Sequence, residues 1–167
     1  MTTLYSPPDV YDAYQSWRAN CGPCSLAAVL GVPVADVRDY FPGFPARAFT
    51  NPTTMKAAIG AAGRAWRLTS LNFYWPLNGL AFVQWEGPWT RPGVPIGAAY
   101  RHTHWVGVRS RNGAGTDLPP AVYDVNADGW LTRPEWEAEI VSDLLAANRG
   151  ATGWHVRTGI EVLGGQS

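Results

Sequence analysis

The first half of the chain reads as helices and the second half as strands. Pro23 occupies the place of a first-position helix proline, the apolar run "CSLAAVL" follows, and Gly31 ends it. "PVADVRDYF" predicts a second short helix, stopped by Pro42-Gly43, and "TTMKAAIGAAG" a third, stopped by Gly63. From there the pattern changes. "AWRLTSL", "LAFVQW", "HTHWVGVRS", "AVYDVN" and "WHVRTGIEVL" carry β-branched or aromatic residues between Gly, Pro and Asn breaks, which predicts strands. One late helix, "RPEWEAEIVSDLLAANRG", separates the last two, and Thr132 with Glu135 forms the T-x-x-E capping box that starts it. Helices first and strands later predict an α+β fold rather than alternating α/β.

At 167 residues the chain is expected to be one domain over 1–167, with 1–14 as a lead-in and 164–167 as a flexible tail. The formal net charge is zero and 16% of residues are charged, so there is no footprint for nucleic acid or an anionic membrane. No apolar stretch nears the ~18 residues of a membrane span. The start "MTTLYSPPDVYDAYQSW" lacks the basic and apolar regions of a signal peptide, so a cytoplasmic chain is expected. Two cysteines do not make a disulfide scaffold. Nine tryptophans are many, and Trp75, Trp85 and Trp89 lie in Gly/Pro-rich stretches. Packing beneath loops is favoured for them over a substrate groove.

The two cysteines stand in "NCGPCS", residues 20–25. A Cys-x-x-Cys tetrapeptide reads either as a thioredoxin-type dithiol or as one nucleophilic cysteine at a helix start. A redox site of that kind follows a buried strand, but "YDAYQSWRAN" precedes this one, and it is polar. The low thiol pKa that a helix N-terminus provides serves a hydrolase equally well.

A cysteine hydrolase needs a base, a group that orients the base, and oxyanion donors. Gln15 precedes Cys21 by six residues, His104 opens the strand "HWVGV", and Asp124 and Asn126 lie on "VYDVN". The turn-rich segment between these two strands predicts an antiparallel hairpin. If 109 pairs with 121, then 104 faces 126, lies diagonal to 124, and all three share one face.

Gln15, Cys21-Gly22, His104-Trp105 and Asp124 match, in order, the pattern of the papain-like cysteine peptidases. They most resemble the branch containing the peptidase domains that process bacteriocin leaders at double-glycine sites. "LGVPVADVRDYFP" is similar to that branch too, and the likeness runs from Gln15 to Asn126. The resemblance implies a nucleophile helix packed on an antiparallel sheet. It implies Cys21 as the nucleophile, His104 as the base, Asp124 as its orienting group, and Gln15 with the Cys21 N–H as the oxyanion hole. Cys24, one helical turn on, would then be a small buried side chain. A peptide or protein substrate and a thioester intermediate follow, with no cofactor. Two other readings stand beside this one: a non-catalytic binding or structural protein on the same fold, and a dithiol redox protein.

The histidines and the acidic loop allow metal readings as well. His102 and His104 make an H-x-H, but no third ligand stands at a persuasive spacing. "DVNADGWLTRPE", residues 124–135, fits the calcium loop D-x-[DN]-x-[DN]-G-x5-E at every fixed position. Asp124, Asn126, Asp128 and Glu135 would be side-chain ligands and Trp130 a carbonyl ligand. Against this, Asp128-Gly129 is common turn chemistry, the preceding element reads as strand, and Asp124 would serve twice. If calcium bound, Asn126 would be left to orient His104.

Overall fold

The computed structural model describes residues 7–69, 75–110, 120–127 and 129–164. Within them the fold is α+β, built on a six-stranded antiparallel sheet. The helices α1 (Pro7–Trp17), α2 (Cys21–Leu30) and α3 (Pro52–Ala61), with a 3-10 segment at Val34–Tyr40, come first. The strands are β1 (Trp66–Leu68), β2 (Asn78–Glu86), β3 (Thr103–Arg109), β4 (Ala121–Asp124), β5 (Gly129–Thr132) and β6 (Gly153–Val162). They lie in the order β1-β6-β2-β3-β4-β5. A short helix, α4 (Ile96–Tyr100), leads into β3. Between β5 and β6, α5 (Arg133–Trp136) and α6 (Ser142–Ala147) join through a π-helical turn at Glu137–Val141.

Both faces of the sheet are covered, which is why β2 and β3 read as nearly unbroken apolar runs. Leu80, Phe82, Trp105 and Ile160 face the N-terminal helices, packing with Leu26, Met55 and Ile59. Ala81, Val83, Val106, Val108 and Val156 face the other way, against Trp136 and Val141. Of the three tryptophans in Gly/Pro-rich stretches, Trp85 is buried on β2, while Trp75 and Trp89 are partly buried and packed against this second core.

Local signals set the ends of the elements. Asn51 and Thr54 form a reciprocal capping box on α3, and Thr132 and Glu135 do the same on α5. Gly31 caps α2 in the left-handed region, at φ 71°. Pro23 stands differently from its expected place. Asn20 is the N-cap of α2, so Pro23 is third in the helix rather than first. The first turn needs no N–H from either position, so the proline costs nothing there.

Several other elements depart from the sequence reading. The segment after Pro33 winds as 3-10 rather than α, with Asp9 accepting from the Val34 N–H at 3.2 Å. Half of the expected lead-in is α1, anchored by the fully buried Trp17. Neither β5 nor α4 was anticipated, because each is only four or five residues long. The β3–β4 connection at 111–119, residues 70–71 of the first expected strand, and tail residues 165–167 lie outside the described residues. No single helix among the described residues is long and apolar enough to cross a membrane.

Helix α2 lies against β3, and Gly107 permits the approach. A Cβ there would come 3.1 Å from Val29 Cγ2, 3.3 Å from Tyr123 Cβ and 3.4 Å from Ser25 O. Ser25, fully buried, ties the same contact by donating to Trp105 O at 3.0 Å. Gly107→Val is expected to destabilise the fold by about 1–3 kcal/mol through overpacking. Urea denaturation measures this, and an unchanged midpoint would show that α2 is not held by close packing at β3.

Candidate active site

The assumed hairpin register is the observed one: Arg109 pairs with Ala121, Val108 with Val122 and Gly107 with Tyr123. The pairing stops there, so β3 from Thr103 to Val106 is laddered only to β2. β4 leaves because Asp124 ends it. Its Oδ1 accepts from the Asn126 backbone N–H at 2.9 Å, an Asx-type turn, and the Ala127 N–H donates to Asp124 O. The start of β3 is thereby left with an open edge, and the N-terminus of α2 meets it. The Trp105 backbone N–H donates to the Cys21 sulfur, and the thiol is hydrogen-bonded to the His104 ring.

His104 Nε2 and Asp124 Oδ2 are 2.9 Å apart, with His104 buried and Asp124 wholly so. The other ring nitrogen, Nδ1, is left for Cys21. Two further donors hold the carboxylate. Asn126 Nδ2 donates to Oδ1 at 3.0 Å, and Trp136 Nε1 donates to Oδ2 at 2.8 Å. Asn126 therefore bonds the carboxylate and not the imidazole. Trp85 packs roughly parallel to the His104 ring, with centroids 6.2 Å apart.

The charges follow from this arrangement. Burial is the largest influence on Cys21 and opposes the thiolate. The charge of His104, its hydrogen bond and the Trp105 N–H together outweigh burial, and the thiol titrates below its ordinary value of 9.0. Burial likewise opposes charge on His104, but Asp124 and Cys21 on either side raise the imidazole to about 10. Asp124, also penalised by burial, is held below its ordinary range by His104, Asn126 and Trp136. Both shifts favour a thiolate facing an imidazolium over the neutral pair. Cys24, one turn along the same helix, is fully buried without such partners, and burial pushes it to about 12. Both cysteines are free thiols.

Among the described residues, the first turn of α2 holds one uncommitted donor. Asn20 Oδ1 accepts from Gly22 N, Pro23 has no N–H, and Cys24 N bonds Asn20 O. The Cys21 N–H remains, next to its own sulfur, as an oxyanion-hole donor would be. Gln15 lies in the last turn of α1, solvent-exposed, three residues before Arg18 turns the chain in the left-handed region at φ 62°. The residue after Cys21 must be small, because a Cβ on Gly22 would fall 2.5 Å from Thr50 Oγ1. That hydroxyl is buried and has no hydrogen-bond partner among the described residues. The 48–50 segment is fixed alongside by Asn20 Nδ2 on Ala48 O and Trp105 Nε1 on Thr50 O.

His102 sits elsewhere, stacked on Trp89 at 3.6 Å and bonded through Nδ1 to Asn148. Of the calcium set, the described side chains Asp124, Asn126 and Glu135 are engaged with protein partners. Both Asp124 oxygens point at protein donors, and Glu135 Oε2 accepts from the Thr132 N–H and hydroxyl. Trp130 pairs with Tyr123 in the β4–β5 ladder, the exposed Asn126 folds back on Asp124, and Asp128 lies outside the described residues. Among the described residues no three His, Cys, Asp or Glu side chains converge as a metal site. Sequence reasoning missed Trp136 and Thr50. Neither stands in a motif, and only the tertiary structure brings them to the site. No protein-family model matches the chain, and no curated protein is significantly similar to it.

The titrations set pH dependences of definite sign. His104, raised from 6.5 to about 10, contributes stability that is complete below pH 6.5 and fades as pH rises through 10. Asp124, depressed from 3.8, contributes stability above that pH that is lost as pH falls through its lower value. Alkylation of Cys21 by iodoacetamide is expected to keep its full rate well below pH 9, while Cys24 stays unlabelled. In His104→Ala, burial acts on Cys21 without the compensating charge, so the midpoint rises. Mass spectrometry across a pH series reads both, and an unmoved midpoint in His104→Ala would separate Cys21 from His104.

Proposed function

We propose that this protein is a papain-like cysteine peptidase or amide hydrolase. The observation that carries this is the juxtaposition of Cys21, at the N-terminus of α2, with His104, whose Nε2 lies 2.9 Å from the buried Asp124 Oδ2. The Cys21 thiolate attacks a carbonyl carbon of a peptide or protein substrate. The resulting oxyanion accepts from the Cys21 N–H and from the side-chain amide of Gln15, an exposed residue of α1. His104 passes its Nδ1 proton to the leaving amine, the C–N bond breaks, and a thioester remains on Cys21. His104, now neutral, takes a proton from water as the water attacks the thioester. The acid is released and the thiolate–imidazolium pair returns. Asp124 keeps the ring orientation through both halves and stabilises its cationic form.

The contrast between the two cysteines supports a hydrolase over a dithiol redox protein. Cys24 packs into the core beside Leu26 and Ala27 as an un-ionised thiol, where it is a poor resolving partner. Titratable groups shifted by burial together with a specific charge partner cluster at catalytic sites, which favours the hydrolase over a non-catalytic protein.

A peptide vinyl sulfone is expected to modify Cys21 alone, with no adduct in Cys21→Ala, whose melting temperature stays near that of the native chain. Modification of Cys24, or hydrolysis surviving in Cys21→Ala, would overturn the assignment. Gln15→Ala is expected to lower turnover of a cleavable peptide about 10²–10³-fold while leaving the alkylation rate of Cys21 unchanged. Unchanged turnover would remove Gln15 from the oxyanion hole.

A further inference from the structure

We infer that Trp136 is a positioning residue of this site, acting on the base through the carboxylate; this rests on the hydrolase reading above. Its indole N–H donates at 2.8 Å to Asp124 Oδ2, the same oxygen that faces His104 Nε2 at 2.9 Å. The other oxygen accepts from the backbone and side chain of Asn126, at 2.9 and 3.0 Å. With four donors on two oxygens, the carboxylate has no freedom to rotate away from the imidazole.

Trp136 can do this because it is itself immobile. It is fully buried, with Trp154 edge-on at 5.2 Å and Trp75 edge-on at 5.7 Å between ring centroids. The chain reaches this point by a closed path. Asp124 turns β4 through its Asx bond, and β5 returns paired to β4, with Asp124 opposite Gly129. The Thr132–Glu135 box then starts α5, and its fourth residue is Trp136. The features that imitate a calcium loop thus deliver an indole donor to the residue where the loop began. The hydrogen bond of Trp136 is to Asp124, and its effect passes through that carboxylate.

Removing the N–H alone tests this. Incorporating β-(3-benzothienyl)alanine at 136 keeps the bicyclic shape but puts sulfur where the donor was. The carboxyl ¹³C resonance of Asp124 is then followed against pH. Losing one hydrogen bond to the ionised form is expected to raise the Asp124 midpoint by about one to two pH units. The acid limb of Cys21 alkylation should move up with it. The same replacement at Trp154, which packs on Trp136, serves as the packing control and should leave the Asp124 midpoint in place. Trp136→Phe, which also loses volume, should move the midpoint in the same direction wherever it folds. An unmoved midpoint in the benzothienyl protein, or an equal shift from the Trp154 control, would overturn the role. Neither readout needs turnover, so a failure to hydrolyse peptides would count against the hydrolase and not against Trp136.

Discussion

A carboxylate wholly removed from water is costly unless its lone pairs are filled, and Asp124 is the point around which this structure is arranged. Stripping a partner from such a buried pair typically costs about 3–5 kcal/mol, so the surrounding elements are obliged to keep theirs. His104 comes from β3, Asn126 from the turn that Asp124 itself induces, and Trp136 from α5. That one group therefore links the middle of the sheet, its β4–β5 edge and the helix behind it. The imidazole gains a fixed tautomer and a raised pKa from the same bond, and its charge draws down the thiol in turn.

Where the thiol sits depends on a second constraint. Sheet pairing and helix docking compete for the edge of β3, and the early departure of β4 resolves the competition in favour of α2. Gly107 and Ser25 bring the helix down onto the strand, Gly22 makes room for Thr50, and Asn20 holds the 48–50 segment. The result is a helix N-terminus facing a strand edge, with one unspoken-for N–H beside the sulfur. Cys21 and Cys24 show how local this is. Three residues apart on one helix, one thiol is lowered by an adjacent cation and the other is raised to about 12 by apolar packing.

The amino-acid sequence determined the features that act over a few residues. The Thr132–Glu135 capping box, Gly31 as the stop of α2, and the change from helical to strand patterning are all visible in it. Each rests on a bond or a periodicity between near neighbours, so residue identity and spacing suffice. The tertiary structure decided which partner each side chain has. The segment 124–135 carries the composition of a calcium loop, yet Asp124 answers to an imidazole and an indole and Glu135 to a helix cap. Pro23 fits two places in a first turn, and Asn20 chose between them by bonding Gly22. Trp136 looks like any core tryptophan until the fold turns its N–H toward Asp124. Such choices are made by burial, which leaves a polar atom only the partners that packing brings within reach, and packing is a property of the whole chain.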